Sequence, residues 1–158
     1  MDNENVSKQE LLLYDPMRSW FAEYFQNKYP DASVEVFDLH KIYLSDFFSK
    51  SELKKDFPDY PTYLIKVDLL VVIKNGDHNQ LHFIEVKDGE LNFSNLAQLL
   101  VYSKLVRPVS SILISPHGLN KHLNDIIKKY QRLDMLEYMS NSKIKLAKWD
   151  KHRGAIFL

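Results

Sequence analysis

Two apolar, β-branched runs on either side of a polar turn constrain this chain most. They are Val67-Asp68-Leu69-Leu70-Val71-Val72-Ile73 and Phe83-Ile84-Glu85-Val86-Lys87, with Lys74-Asn75-Gly76-Asp77-His78-Asn79 between them. Asn-Gly between strand-like runs is the strongest short-range hairpin signal. A turn centred between Gly76 and Asp77 sets Val72 opposite Leu81, Leu70 opposite Phe83 and Asp68 opposite Glu85. Directly opposed residues hold their Cβ atoms roughly 4.5–5.5 Å apart, where like charges repel. Side chains alternate along a strand, so Lys87 shares the face of Glu85. Two carboxylates and an ammonium thus converge at one end of a very apolar hairpin. A hard, oxygen-seeking cation such as Mg²⁺ would cancel their repulsion. The plainer alternative makes Glu85 and Lys87 polar tips at a strand end, with Asp68 solvated nearby.

Asp68, the hairpin and Glu85-Val86-Lys87 together resemble the PD-(D/E)XK nuclease superfamily, whose signature is an acidic residue, a hairpin and a Glu-x-Lys on the next strand. Val67 stands before Asp68 where the superfamily's name places a proline. Farther on, Gln98-Leu99-Leu100-Val101-Tyr102 is similar to the Gln-x-x-x-Tyr motif of its RecB-like branch. The match covers residues 60–115 well and the rest only by order of elements. The resemblance implies a restriction-endonuclease-like, three-layer α/β/α sandwich with a mixed central sheet. It also implies a hydrolase in which Asp68, Glu85 and the Val86 carbonyl bind Mg²⁺ or Mn²⁺, Lys87 assists the attacking water, and Gln98 and Tyr102 position a nucleic-acid strand. Several members carry an acidic residue on the first helix near the metal, which makes Glu23 a candidate third acid; a solvated surface Glu is the competing reading.

With 158 residues, 45% hydrophobic and 13% aromatic, the chain suits one domain with one sizeable core. It has no cysteine, which excludes disulfides and thiolate metal sites. Met1-Asp2-Asn3-Glu4-Asn5 lacks the basic-then-apolar layout of a secretory leader, and the longest apolar run, Leu69 to Ile73, is too short to span a bilayer. A soluble, cytoplasmic protein without a membrane partner is expected. Net charge is zero, yet residues 1–90 carry a balance of −7 and residues 91–158 one of +7. Such asymmetry is compatible with one face that meets phosphates.

In chain order, Ser7-Lys8-Gln9-Glu10 has capping-box spacing and starts a short helix through Leu13, and Asp15-Pro16 reads as the start of another. Met17, Trp20, Phe21, Tyr24 and Phe25 form an amphipathic stripe. Val34 to Leu39 alternates as a strand, and residues 40–63 read as a loop with a helical turn or two. Asn92 to Arg107 is a helix halted by Pro108, with Gln98, Tyr102 and Leu105 on one face. Val109 to Ser115 is a strand. Leu119, Leu123, Ile126, Ile127, Tyr130 and Leu133 then predict a long helix. Lys121, Lys128 and Arg132 gather opposite that stripe as a candidate phosphate-facing row, a merely solvated face being the default. Lys143 to Leu146, whose lysines suit a guarded sheet edge, and Ala155 to Leu158 supply late strands.

This order of elements predicts an α/β sandwich with a mixed sheet. No Gly-x-x-x-x-Gly-Lys loop, Gly-x-Ser-x-Gly elbow or His-Glu-x-x-His is present. The functional expectation is a metal-dependent nuclease acting on DNA, with RNA not excluded and a homodimer left open. A catalytically inactive nucleic-acid-binding or protein-interaction module on the same fold is the alternative.

Overall fold

The computed structural model describes residues 6–158; the first five, read above for a leader, lie outside them. The expected hairpin forms from β2 (Leu69–Asn75) and β3 (His78–Val86), paired antiparallel with Val72 opposite Leu81 and Leu70 opposite Phe83. Gly76 takes the first loop position with φ +62°, and Asp77 is not left-handed. That is the φ pattern of a II′ hairpin turn, which places glycine first. β1 (Ser33–Asp38) adds antiparallel to β2. From β3 the sheet continues in parallel to β4 (Ser110–Ser115) and β6 (Ser142–Asp150). β5 (Glu137–Met139) and β7 (Gly154–Phe157) both pair antiparallel with β6. The protein is therefore α/β, and its described residues form a mixed sheet of seven strands in the order β1-β2-β3-β4-β6-β5 with β7 beside β6. β6 pairs with β4 on one side and with β5 and β7 at its two ends on the other; Lys143 pairs only with Glu137 and Lys145 only with Ile112, and both lysines are exposed.

Alternation along the strands divides the apolar side chains between two clusters. Leu70, Val72, Leu81 and Phe83 pack with α2 (Leu44–Ser49), with Tyr63, and with Leu96, Leu99 and Tyr102 of α3 (Phe93–Val106). Leu69, Val71, Ile73, Ile84 and Val86 pack instead with Tyr14, Met17, Phe21 and Phe25 of α1 (Lys8–Lys28). The segment 40–63 thus earns its place in the core, through Leu44, Phe48, Leu53 and Tyr63. Among the described residues no helix is long and apolar enough to cross a membrane.

Two helices depart from the sequence expectation. α1 does not restart at Asp15-Pro16; it runs through Pro16 as one 21-residue helix. Proline removes the bond to the carbonyl four residues back and its ring crowds that carbonyl; that residue, Leu12, lies on the exposed face, where the carbonyl can tilt out to water. The long helix expected from Leu119 also fails to form. α4 is short (Lys121–Asn124), widens into a π-turn over Asp125–Lys129, and ends at Gln131 with φ +53°. The π-turn takes Tyr130 off the buried stripe, and Leu133, beyond the end of the helix, is exposed too, while Ile127 is buried.

Gly154 opens β7 at φ +84°, where a Cβ would lie 1.9 Å from Nε1 of Trp20. A left-handed backbone and a rigid indole leave a side chain no room. Gly154→Ala is expected to cost roughly 2–4 kcal/mol in urea unfolding; a cost below about 0.5 kcal/mol, that of an ordinary surface change, would contradict this packing.

His82 of β3 is fully buried, its ring 4.6 Å from that of Phe25 and its Nδ1 2.6 Å from Oγ of Ser110. Burial, reinforced by Lys28 and Lys145, holds its pKa at about 3. The folded chain therefore keeps His82 neutral where the unfolded chain takes up a proton, and stability is lost as pH falls below 6.5. Relative to pH 7, the wild type should lose roughly 2 kcal/mol at pH 5 through this residue. His82→Phe should remove that loss; equal pH slopes for both proteins in urea titrations would contradict it.

Candidate functional site

The site lies where the β2–β3 hairpin meets the start of α1. The antiparallel ladder ends at Leu69 opposite Ile84, one residue before Asp68. Asp68 remains anchored to both neighbouring strands: its carbonyl accepts from the Leu39 N–H at 2.9 Å, and its Oδ2 accepts from the Val86 N–H at 2.8 Å. Glu85 lies on β3 and Lys87 just past its end, with Lys87 Nζ 3.8 Å from Glu85 Oε1. Asp68, Glu85 and Lys87 are 7%, 2% and 8% exposed, so all three are buried at a point that just touches solvent. The structure brings together the three side chains that the hairpin register predicts.

It also adds two that sequence reasoning missed. Ser7 caps α1 by accepting from the Glu10 N–H at 3.0 Å, the backbone half of the expected capping box. The Glu10 side chain points elsewhere. Its Oε1 lies 3.0 Å from the Tyr14 hydroxyl, and the same hydroxyl lies 3.0 Å from Asp68 Oδ1. A phenol has one proton to donate. One of these contacts therefore carries the tyrosine's proton, and the other is satisfied only when the facing carboxyl is itself protonated. Burial, then the charge of Asp68, pushes Glu10 from its ordinary 4.5 up to about 7. Burial also pushes Asp68 up, against the Val86 N–H and Lys87, and raises the Tyr14 phenol well above its usual range. Asp88, just past β3, accepts from the Ser7 hydroxyl and adds a further negative charge near Glu10. His40, whose Nδ1 is 2.5 Å from Asp38 Oδ1, packs its ring 4.7 Å from that of Tyr14.

The available signal for Glu10 and Tyr14 was their spacing of four, which makes them neighbours on one helix face. Reading Asp15-Pro16 as a helix start separated them. Glu23, the acid expected on the first helix, is exposed and lies nine residues beyond Tyr14, about 13 Å along the axis. Glu10 takes that position instead.

Gln98 and Tyr102 meet as expected, the Gln98 Nε2 donating to the Tyr102 hydroxyl at 3.1 Å, with Tyr102 in the core. Leu105, expected on the same face, is exposed. The basic row is not one helix face. Lys121 bonds Asp125 at 2.8 Å, Lys128 is exposed within the π-turn, and Arg132, past the end of the helix, makes two 2.8 Å bonds to Asp134.

Glu10, Asp68 and Glu85 put three carboxyl groups beside one lysine in a nearly dry place. Burying an ion costs several kcal/mol unless it is well paired, so this acid surplus needs protons or a cation. The donors are all hard oxygens, the set that Mg²⁺ or Mn²⁺ takes and soft metals do not. Among the described residues no group of three or more His, Asp or Glu is already set to hold a metal ion. As they stand, Asp68 and Glu10 turn their oxygens onto Tyr14 and, for Asp68, onto the Val86 N–H. In donor chemistry the residues fit a divalent cation, which would take the place of protons now held between acids. No family model, curated protein or solved structure matches the chain.

Proposed function

We propose that the protein is a metal-dependent nuclease that hydrolyses phosphodiester bonds of DNA, on a restriction-endonuclease-like three-layer fold. The observation that supports this reading is the buried meeting of Asp68, Glu85 and Lys87 at the end of an otherwise apolar hairpin, with Glu10 and Tyr14 closing over it. Perturbed acids gathered at a solvent-touching point are costly to stability and are typical of chemistry. Helices packed against alternate faces of a mixed sheet support the fold assignment.

Asp68 and Glu85, with the Val86 carbonyl, would hold Mg²⁺ or Mn²⁺. When bound, such an ion supplies electrophilic stabilisation of phosphate charge and makes water a better nucleophile. Lys87 contributes a fixed positive charge beside Glu85, which orients the attacking water and offsets charge developing on the phosphate. Tyr14 holds Glu10 and Asp68 in register through its hydroxyl. Gln98 and Tyr102, bonded to each other, provide a rigid polar pair to seat the strand.

A non-catalytic module on the same fold draws support from the acids being held by hydrogen bonds rather than grouped around a common point. One experiment separates the two. The purified chain is incubated with linear, circular, single-stranded and branched DNA, and with RNA, in Mn²⁺ or in chelator. Products that appear only with metal support the nuclease. Salt-dependent binding with every substrate left uncut contradicts it in favour of the module.

A further inference from the structure

We infer that a shallow cavity beside the N-terminus of α3 stacks an unpaired base, so that this protein takes nucleic acid as a single strand or frayed end rather than continuous duplex. The substrate class rests on the nuclease reading; the cavity does not. It measures about 380 Å³, at the lower end of the size that takes small ligands, and is lined by Phe93, His122, Ile126, Tyr130, Arg132 and Met135. Phe93 is 38% and Tyr130 66% exposed, and the rings of Phe93 and His122 lie 6.1 Å apart. A single exposed aromatic is ordinary. Here two aromatics, an imidazole and a guanidinium surround one concavity, and Tyr130 reaches it because the π-turn abandons the helical stripe that would have buried it.

Charge selects the occupant. Of the four cations on residues 121–132, Lys121 is paired with Asp125 and Arg132 with Asp134, so the positive charge offered beside the cavity is that of Lys128 and Lys129. Lys129 Nζ lies over the Tyr130 ring, 5.4 Å from its centroid, and so brings a cation to the exposed aromatic. Arg132 is held flat by its two bonds to Asp134. Aromatic faces with flanking cations are how proteins hold single strands without reading sequence. A base within duplex would first have to leave its stack, which costs a few kcal/mol; an unpaired one pays least.

The cavity also lies near the acids. Leu91 is stapled to the start of α4, its N–H bonding the Gly118 carbonyl at 2.7 Å and its carbonyl accepting from Asn120 at 2.8 Å. Five residues lie between Lys87 and Phe93, a span of at most about 20 Å. A strand with one phosphate at Lys87 therefore reaches Phe93 within a few nucleotides.

The test uses the full chain in chelator, with a single-stranded oligonucleotide carrying 2-aminopurine and a blunt duplex of equal length. The wild type should bind the single strand at least about tenfold more tightly and quench 2-aminopurine emission. Tyr130→Ala should lose about tenfold in single-strand affinity, and the quenching, with duplex affinity unchanged; Tyr130→Trp should restore both. Equal affinity for the two forms, or an unaltered Tyr130→Ala, overturns the inference. Cleavage of the same single strand by the wild type in Mn²⁺ is read separately. Cleavage with Tyr130-independent binding overturns the stacking site alone, whereas Tyr130-dependent quenching without cleavage overturns the nuclease alone.

Discussion

Glu85→Gln is expected to lower Mn²⁺-dependent DNA cleavage by at least about 10²–10³-fold while the chain stays folded. The substitution keeps the shape of a side chain that is 2% exposed, so the loss reports chemistry rather than a cavity. Lys87→Met should act alike, because it removes the charge 3.8 Å from Glu85 Oε1 and retains most of the apolar stem. Truncation to alanine is the poorer test: Asp68→Ala, for instance, strands the Val86 N–H that bonds its Oδ2, and a buried donor without a partner costs about 1–3 kcal/mol by itself. Cleavage rates are measured beside circular dichroism and melting curves. Full activity in Glu85→Gln or Lys87→Met would remove the mechanism.

The second large effect is on stability and has the opposite sign to that of His82. Burial and Asp68 raise Glu10 from 4.5 to about 7, so between those values the folded chain binds a proton that the unfolded chain has released. Stability contributed by the protonated form is present below 4.5 and is lost as pH rises through about 7. The full difference is worth roughly 3 kcal/mol, about 5–10 °C in Tm for a chain of this size. In chelator, Glu10→Gln should therefore melt higher than the wild type at pH 8 and much nearer to it at pH 4.5. His82 favours stability as pH rises over part of the same range, so the difference between variant and wild type, rather than either raw curve, isolates Glu10. Adding Mn²⁺ at pH 8 should raise the melting temperature of both proteins, since each keeps Asp68 and Glu85 and a ligand at 100 times its Kd contributes about 2.7 kcal/mol. A variant that tracks the wild type at every pH would show that the Glu10–Tyr14–Asp68 contact carries no such strain.

How much of this was readable without coordinates follows from how local each signal is. The hairpin was legible because its register depends on one turn and a period of two, and both are written in adjacent residues. Asp68, Glu85 and Lys87 came with it. Glu10 was not, because Ser7-x-x-Glu10 has a local role at hand, capping, that accounts for the residue without any distant partner. Only the continuation of α1 through Pro16 puts Tyr14 on the helix face of Glu10 and against Asp68. The helix after Leu119 was misread for a different reason. A stripe at 3.6 residues per turn says nothing of a π-turn, whose extra residue appears only in the bond from the Tyr130 N–H to the Asp125 carbonyl. His40 and Asp38 sit at a strand end whose position beside Tyr14 depends on the whole sheet.

Free Mn²⁺, followed by electron paramagnetic resonance while the full chain is titrated in at pH 8, decides whether Asp68 and Glu85 share one cation-binding point. The wild type should remove the free-ion signal saturably, at about one or two ions per chain, and an Asp68→Asn, Glu85→Gln double variant should leave it unchanged. An undiminished signal with the wild type, or equal uptake by the double variant, would contradict a shared metal site.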